Sequence, residues 1–240
     1  MNEIQSTFEL LIQNGYRHWS KKSFKERILA DGFIRNITNY NDEYVFSPDT
    51  IAIYNFVDDP ILGQYKTAIL DQRYGIVLSH KSSKSVLHKY TTHVLISGLS
   101  LQKSIAHTLK LTAFHSISLV HVVFFSLQTY TKHNTDWVGL HFFEDYNTED
   151  DNITFTSINQ KYSLSFKNTN PNIHKRISDS LQYNDFISSI THEYHISISW
   201  PCPLNSHKTG SMIFNTDFFQ PLESIIKADL KDIIDQIVDD

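Results

Sequence analysis

Asp49-Thr50-Ile51-Ala52-Ile53-Tyr54 opens the stretch whose reading decides the fold. Before it, apolar residues recur at helical spacing; from about Tyr44 they shorten into the runs and alternations of strands. Tyr74-Gly75-Ile76-Val77-Leu78, Thr92-His93-Val94-Leu95-Ile96, residues 114–125, residues 137–143, Asn152–Ser157 and Tyr162–Phe166 follow in series. The last two flank the polar segment Ser157-Ile158-Asn159-Gln160-Lys161 and read as a hairpin. Inside this region only Leu101, Ile105, Leu109 and Thr112 keep helical spacing, which predicts one interrupting helix. Strands in series without a helix after each exclude a wound parallel sheet. The expected class is α+β, with a mainly antiparallel β core, an N-terminal helical pair and a C-terminal amphipathic helix.

Upstream, Ser6-x-x-Glu9 and Ser23-x-x-Glu26 both have the capping-box form that satisfies the open amides of a helix start. The first helix would gather Phe8, Leu11, Ile12, Tyr16 and Trp19 on one side, and the second would end near Asp31-Gly32, where glycine adopts the left-handed conformation cheaply. Two short helices and a turn also suggest a helix-turn-helix, but barely two turns is too short for a recognition helix. Downstream, Ile173, Ile177 and Leu181 predict a helix, and Glu193–Ser199 alternates like a strand that Trp200-Pro201-Cys202-Pro203 terminates. Pro221 then opens a helix whose Leu222, Ile225, Ile226, Leu230, Ile233, Ile234 and Ile237 form one apolar face. That face demands cover, by intramolecular packing or by a helix–helix dimer contact. The domain plan is a helical extension over 1–43 and an α+β domain over 44–240.

Charge is distributed unevenly. Residues 72–135 contain no Asp or Glu but carry Arg73, Lys81, Lys84, Lys89, Lys103, Lys110 and Lys132, a block of +7 in a chain of net −5, so the remainder stands at −12. Seven histidines share the block (His80, His88, His93, His107, His115, His121 and His133), and mild acidification would raise its charge further. A cationic block within an acidic chain is an electrostatic footprint that invites a polyanion, most often nucleic acid. Solvated surface lysines are the bland account of the same residues.

Enzyme signatures are missing from the sequence. Seven glycines supply no Gly-rich phosphate loop. His192-Glu193-Tyr194-His195 places its histidines three apart, where the zinc-protease helix needs four, and strand alternation would put them on opposite faces. Cys202 is the one cysteine, which excludes an internal disulfide and zinc sites built on several thiolates. Nothing near it orients His207 as a base. Glu149-Asp150-Asp151 and Asp58-Asp59 read as solvated loops. The expectation is a non-enzyme without cofactor or metal. The N-terminus has no basic run followed by an apolar core, and no stretch approaches a membrane span, so a cytoplasmic protein with no membrane partner is expected.

Read in order, Thr50-Ile51-Ala52-Ile53, Gly98-x-x-Leu101-x-x-x-x-Ala106-x-Thr108, Phe124-Phe125-x-Leu127-x-Thr129, Trp137-Val138-Gly139-Leu140-His141, Ile153-Thr154-Phe155 and Leu164-Ser165-Phe166 are collinear with motifs of one family. Over about residues 49–170 the chain resembles the competence transcription factor ComK family of low-GC Gram-positive bacteria. The resemblance implies a DNA-binding transcriptional activator of DNA-uptake genes, assembled from more than one copy and reading A·T-rich double-stranded DNA through the minor groove. On that reading Arg73, Lys81, Lys84, Lys89, Lys103, Lys110 and Lys132 are the DNA-binding candidates. Two departures stand out: the basic cluster after the family's glycine reduces to Lys103, and the paired prolines before its aromatic run are replaced by Ile117-Ser118-Leu119. They keep a second reading open, a regulatory paralogue that uses the same fold to hold a protein partner with DNA binding reduced or lost.

Overall fold

A computed structural model describes residues 6–93, 98–111, 116–119, 122–129, 134–168 and 170–197. In chain order the elements are α1 (Thr7–Gln13), β1 (His18–Trp19), α2 (Lys21–Ala30), α3 (Gly32–Ile37), β2 (Asn39–Tyr40), β3 (Thr50–Asn55), β4 (Thr67–Asp71), β5 (Gly75–Ser79), α4 (Ser83–His93), α5 (Gly98–Thr108), β6 (Ser116–Leu119), β7 (Val122–Ser126), β8 (Trp137–Gly139), β9 (Phe143–Glu149), β10 (Asn152–Ser157), β11 (Ser163–Lys167) and α6 (Ile173–Ser197). Seven strands form a sheet in the order β2-β5-β4-β3-β8-β7-β6, and four form a second in the order β1-β11-β10-β9. Every pairing is antiparallel except β2 with β5 and β1 with β11. The class is α+β with a mainly antiparallel core.

Strand alternation divides the apolar side chains of the larger sheet between two cores. Tyr54, Ala68, Leu70, Ile76, Leu78, Phe125 and Val138 face the first, which Ile153, Phe155, Leu164 and Phe166 of the smaller sheet complete. Ile53, Ile69, Val77, Phe124 and Trp137 face the second, under Val86 and Leu87 of α4 and with Tyr44 and Phe46 from the preceding loop. Because β3, β4 and β5 are covered on both faces, they read as continuous apolar runs. Each such side chain contributes roughly 1.5–3 kcal/mol when fully buried.

Residues 6–43 pack onto both sheets. Phe8, Leu11, Trp19, Phe24, Ile28 and Ile34 lie in the first core, and both parallel edge strands come from this segment. At Gly75 (φ 73°), a Cβ would come 2.7 Å from the Thr7 methyl, so α1 seats directly on the β4–β5 turn.

Local punctuation departs from expectation in several places. The second helix starts three residues earlier than Ser23: Ser20 caps it, and the reciprocal bonds run between Ser20 and Ser23. Gly32 is not left-handed; Asp31 ends α2 and starts α3, accepting from the amides of Phe33 and Ile34. Thr92 and His93 are helical rather than a strand start, because a short apolar run fits either period and α4 is already nucleated upstream. Within the run expected at 114–125, Ser116–Leu119 and Val122–Ser126 are two strands that pair antiparallel, β6 with β7. The strand expected at Glu193–Ser199 is helical through Ser197, since lengthening α6 adds a hydrogen bond per residue while a strand would need an edge to join. The alternation that separated His192 from His195 therefore does not apply. The amphipathic helix expected at 221–237, with Cys202 and His207, lies outside the described residues.

Candidate nucleic-acid interface

The helices of the basic block position its lysines. Ser82 starts α4, its hydroxyl accepting from Ser85 N at 3.3 Å. Val86 and Leu87 turn inward, which leaves Lys84, Ser85 and His88 on the exposed side. In α5, Ile105 and Ala106 pack against Tyr183 of α6, and Lys103 and His107, one turn apart, face outward. Lys110 follows in the left-handed conformation (φ 56°) that closes the helix, with Leu111 N donating to Ala106 O at 2.8 Å. The two helices touch each other, and neither contains an acidic residue.

Buried polar contacts fix this surface to the sheet. Gln102 meets edge strand β6 from outside: its amide nitrogen donates to Ser118 O at 2.7 Å and its oxygen accepts from Ser118 N at 3.3 Å. That satisfies backbone groups a bare edge would present. Arg176 of α6, only 3% exposed, donates to Leu127 O at 2.9 Å and Ser126 O at 3.1 Å and lies over the Phe125 ring. Burial pushes its guanidinium down to about 10. His141 ties β7 to the loop before β3, accepting from Val123 N at 3.3 Å and donating to Pro48 O at 3.1 Å. Burial lowers its pKa, against its contacts with the Pro48 and Val123 carbonyls, which raise it.

The seven candidate bases do not all gather. Lys84 on α4 and Lys103 and Lys110 on and after α5 are exposed on touching helices. Lys81 sits just before α4, its ammonium 2.8 Å from Glu43. Arg73 is at the opposite end of β5, beside Asp49 at 3.6 Å. The five residues of β5 lie between it and Lys81, roughly 16 Å at 3.3 Å per residue. Lys89 is on α4, but its side chain lies outside the described residues, as does Lys132 altogether. Arg73 therefore leaves the shared surface.

Sequence reasoning missed a second lysine group. Lys21, Lys22 and Lys25 of α2 line an open cleft of about 370 Å³ with Asn55, Phe56, Asp58 and Asp59. Lys21 binds the buried carboxylate of Asp136 at 3.0 Å, and Lys25 pairs with Asp59. Asp136, which also accepts from Asn55 N at 2.7 Å, has its pKa raised by burial despite Lys21. Asn134 joins this cleft to α4: its carbonyl accepts from the Asn55 side chain and its Oδ1 from Lys84 N at 3.3 Å. Lys21 and Lys25, four apart on one side of α2, were a visible signal; their pairing with residues 136 and 59 was not.

Among the described residues, no three His, Cys, Asp or Glu side chains converge as metal ligands, and no helix is long and apolar enough to cross a membrane. No family model, curated protein or solved structure matches this chain. The collinear likeness to the competence activators thus rests on the residues quoted for it.

Proposed function

We propose that this protein is a cytoplasmic DNA-binding regulator whose α4–α5 surface holds the phosphates of double-stranded DNA, and that it acts as a transcriptional activator of the competence type. The observation that carries the reading is a pair of touching helices with Lys84, Lys103 and Lys110 outward and no carboxylate of their own. Lysines position the duplex through phosphate contacts, and preference for A·T-rich sites comes from groove width and deformability rather than base-edge bonds.

A gel-shift titration with A·T-rich and G·C-rich duplexes at two salt concentrations tests it. The expected result is salt-sensitive binding with tighter retention of the A·T-rich duplex; no shift of either duplex at low salt contradicts it. The second reading, a module that holds an acidic protein partner, draws support from α5 keeping Lys103 alone after its glycine. Salt-sensitive capture of a protein with no duplex binding favours that reading.

A further inference from the structure

Tyr40, Tyr65 and His80 come from three separate segments and form one continuous ladder of rings. Tyr40 and Tyr65 have centroids 5.2 Å apart, and Tyr65 and His80 4.6 Å apart. The middle ring is 9% exposed, whereas Tyr40 at one end is 53% exposed and the His80 side chain at the other 51%. We propose that this ladder is a stacking platform for an unpaired nucleobase, so that the protein holds a melted stretch next to the duplex it binds; the inference rests on the DNA reading above.

Rigidity is the first reason. Tyr40 is held by pairing of β2 with β5, opposite Leu78, and Asn41 N donates to Leu78 O at 3.0 Å. Tyr65 is bonded through its amide and carbonyl to Ile61, at 3.0 and 2.9 Å. His80 is fixed by Asp42, which accepts from its main-chain N at 2.7 Å and contacts its Nδ1 at 3.0 Å. An exposed ring carried on a fixed main chain and already resting against a second ring loses less freedom when a flat partner settles on it.

Charge and position select a base over an apolar partner. The ladder lies at the end of the larger sheet where β4 begins and β5 ends, and the exposed Lys66 is there, its amide donating to Ser79 O at 2.9 Å. His80 is followed by Lys81 and, within one turn, by Lys84 at the start of the basic helix pair. Two carboxylates are close by. Asp42 is engaged by His80 and by the Ser79 hydroxyl at 2.9 Å, and Glu43 by Lys81 at 2.8 Å. With Lys81 engaged by Glu43, exposed Lys66 and Lys84 are the cations near the rings, in the arrangement that tracks a single strand with phosphates on lysines and bases on π-faces.

The test is fluorescence anisotropy on the full chain with two labelled probes: an A·T-rich duplex and the same duplex carrying a central run of mismatches. The mismatched probe should bind about tenfold more tightly, the size of one base–aromatic stack. Tyr40→Ala and Tyr40→Leu should each abolish that preference while leaving perfect-duplex affinity unchanged, and Tyr40→Trp should retain it. Leu keeps apolar bulk without a π-face, so its loss of preference separates stacking from packing. Equal affinity of the wild type for the two probes, or a preference that survives Tyr40→Ala, overturns the platform and leaves the duplex reading standing. Binding of neither probe overturns both.

Discussion

Two lysine-rich regions meet at Asn134 and differ in the acids of their own helices: α2 carries Glu26, whereas α4 and α5 carry none. In the α2 cleft, Lys21 and Lys25 each have a carboxylate within ion-pair distance, contributed by residues 136 and 59. On α4 and α5, Lys84, Lys103 and Lys110 project from helices without a single acid. The α2 lysines sit in ion pairs with neighbouring segments, and the α4–α5 helices contribute basic residues and no acidic one to their own surface. On the proposed reading, what separates the two regions is which elements supply the carboxylates, more than how many lysines there are.

Charge reversal breaks the comparison most severely. Lys84→Glu, Lys103→Glu and Lys110→Glu together should weaken duplex binding on the order of a hundredfold at low salt, since phosphate neutralisation supplies most of that affinity. Lys22→Glu with Lys25→Glu should change it by less than about threefold, a contrast that anisotropy titration of both variants checks.

Stability should respond the other way round. Lys21→Met leaves the Asp136 carboxylate buried with Asn55 N as its remaining partner. Because Lys21 is 44% exposed, solvent screening limits the loss to about 1 kcal/mol by urea denaturation, with duplex binding intact. Lys110→Gly should do the reverse, gaining about 1 kcal/mol by relieving a left-handed non-glycine residue while weakening DNA binding severalfold.

The smallest effect concerns the sheet beneath both regions. The His141 pKa is lowered in the folded state, so the unfolded chain takes up the proton first. Its contribution is complete above the unfolded value of about 6.5 and is lost as pH falls through the lower folded value. Thermal melts at mildly alkaline and mildly acidic pH should show a larger drop for the wild type than for His141→Gln.

Much of the fold was legible where one physical signal acted alone. The β10–β11 hairpin alternates, with Ile153, Phe155, Leu164 and Phe166 inward, and a polar turn separates its strands. Leu101, Ile105, Leu109 and Thr112 pointed to one helix, of which α5 covers Leu101 and Ile105, while α4 before it was not foreseen and Thr112 lies outside the described residues. By contrast β4 (Thr67–Asp71), buried on both faces, offers no alternation, and β1 and β2 are two residues each, too short to carry a period. Their docking depends on tertiary pairing with β11 and β5. The candidate interface was half legible. The absence of acids over 72–135 pointed to Lys84, Lys103 and Lys110, whereas the isolation of Arg73 depends on the length of β5, and the ring ladder on three segments brought together by the sheet.

The salt dependence of duplex binding tests the central claim most directly. If the α4–α5 surface holds phosphates, the logarithm of affinity should fall linearly with the logarithm of salt concentration. Replacing Lys84, Lys103 and Lys110 with glutamine one at a time should flatten the slope by ~0.9 per lysine. A wild-type slope that is already flat, or one that the three replacements leave unchanged, would contradict the account.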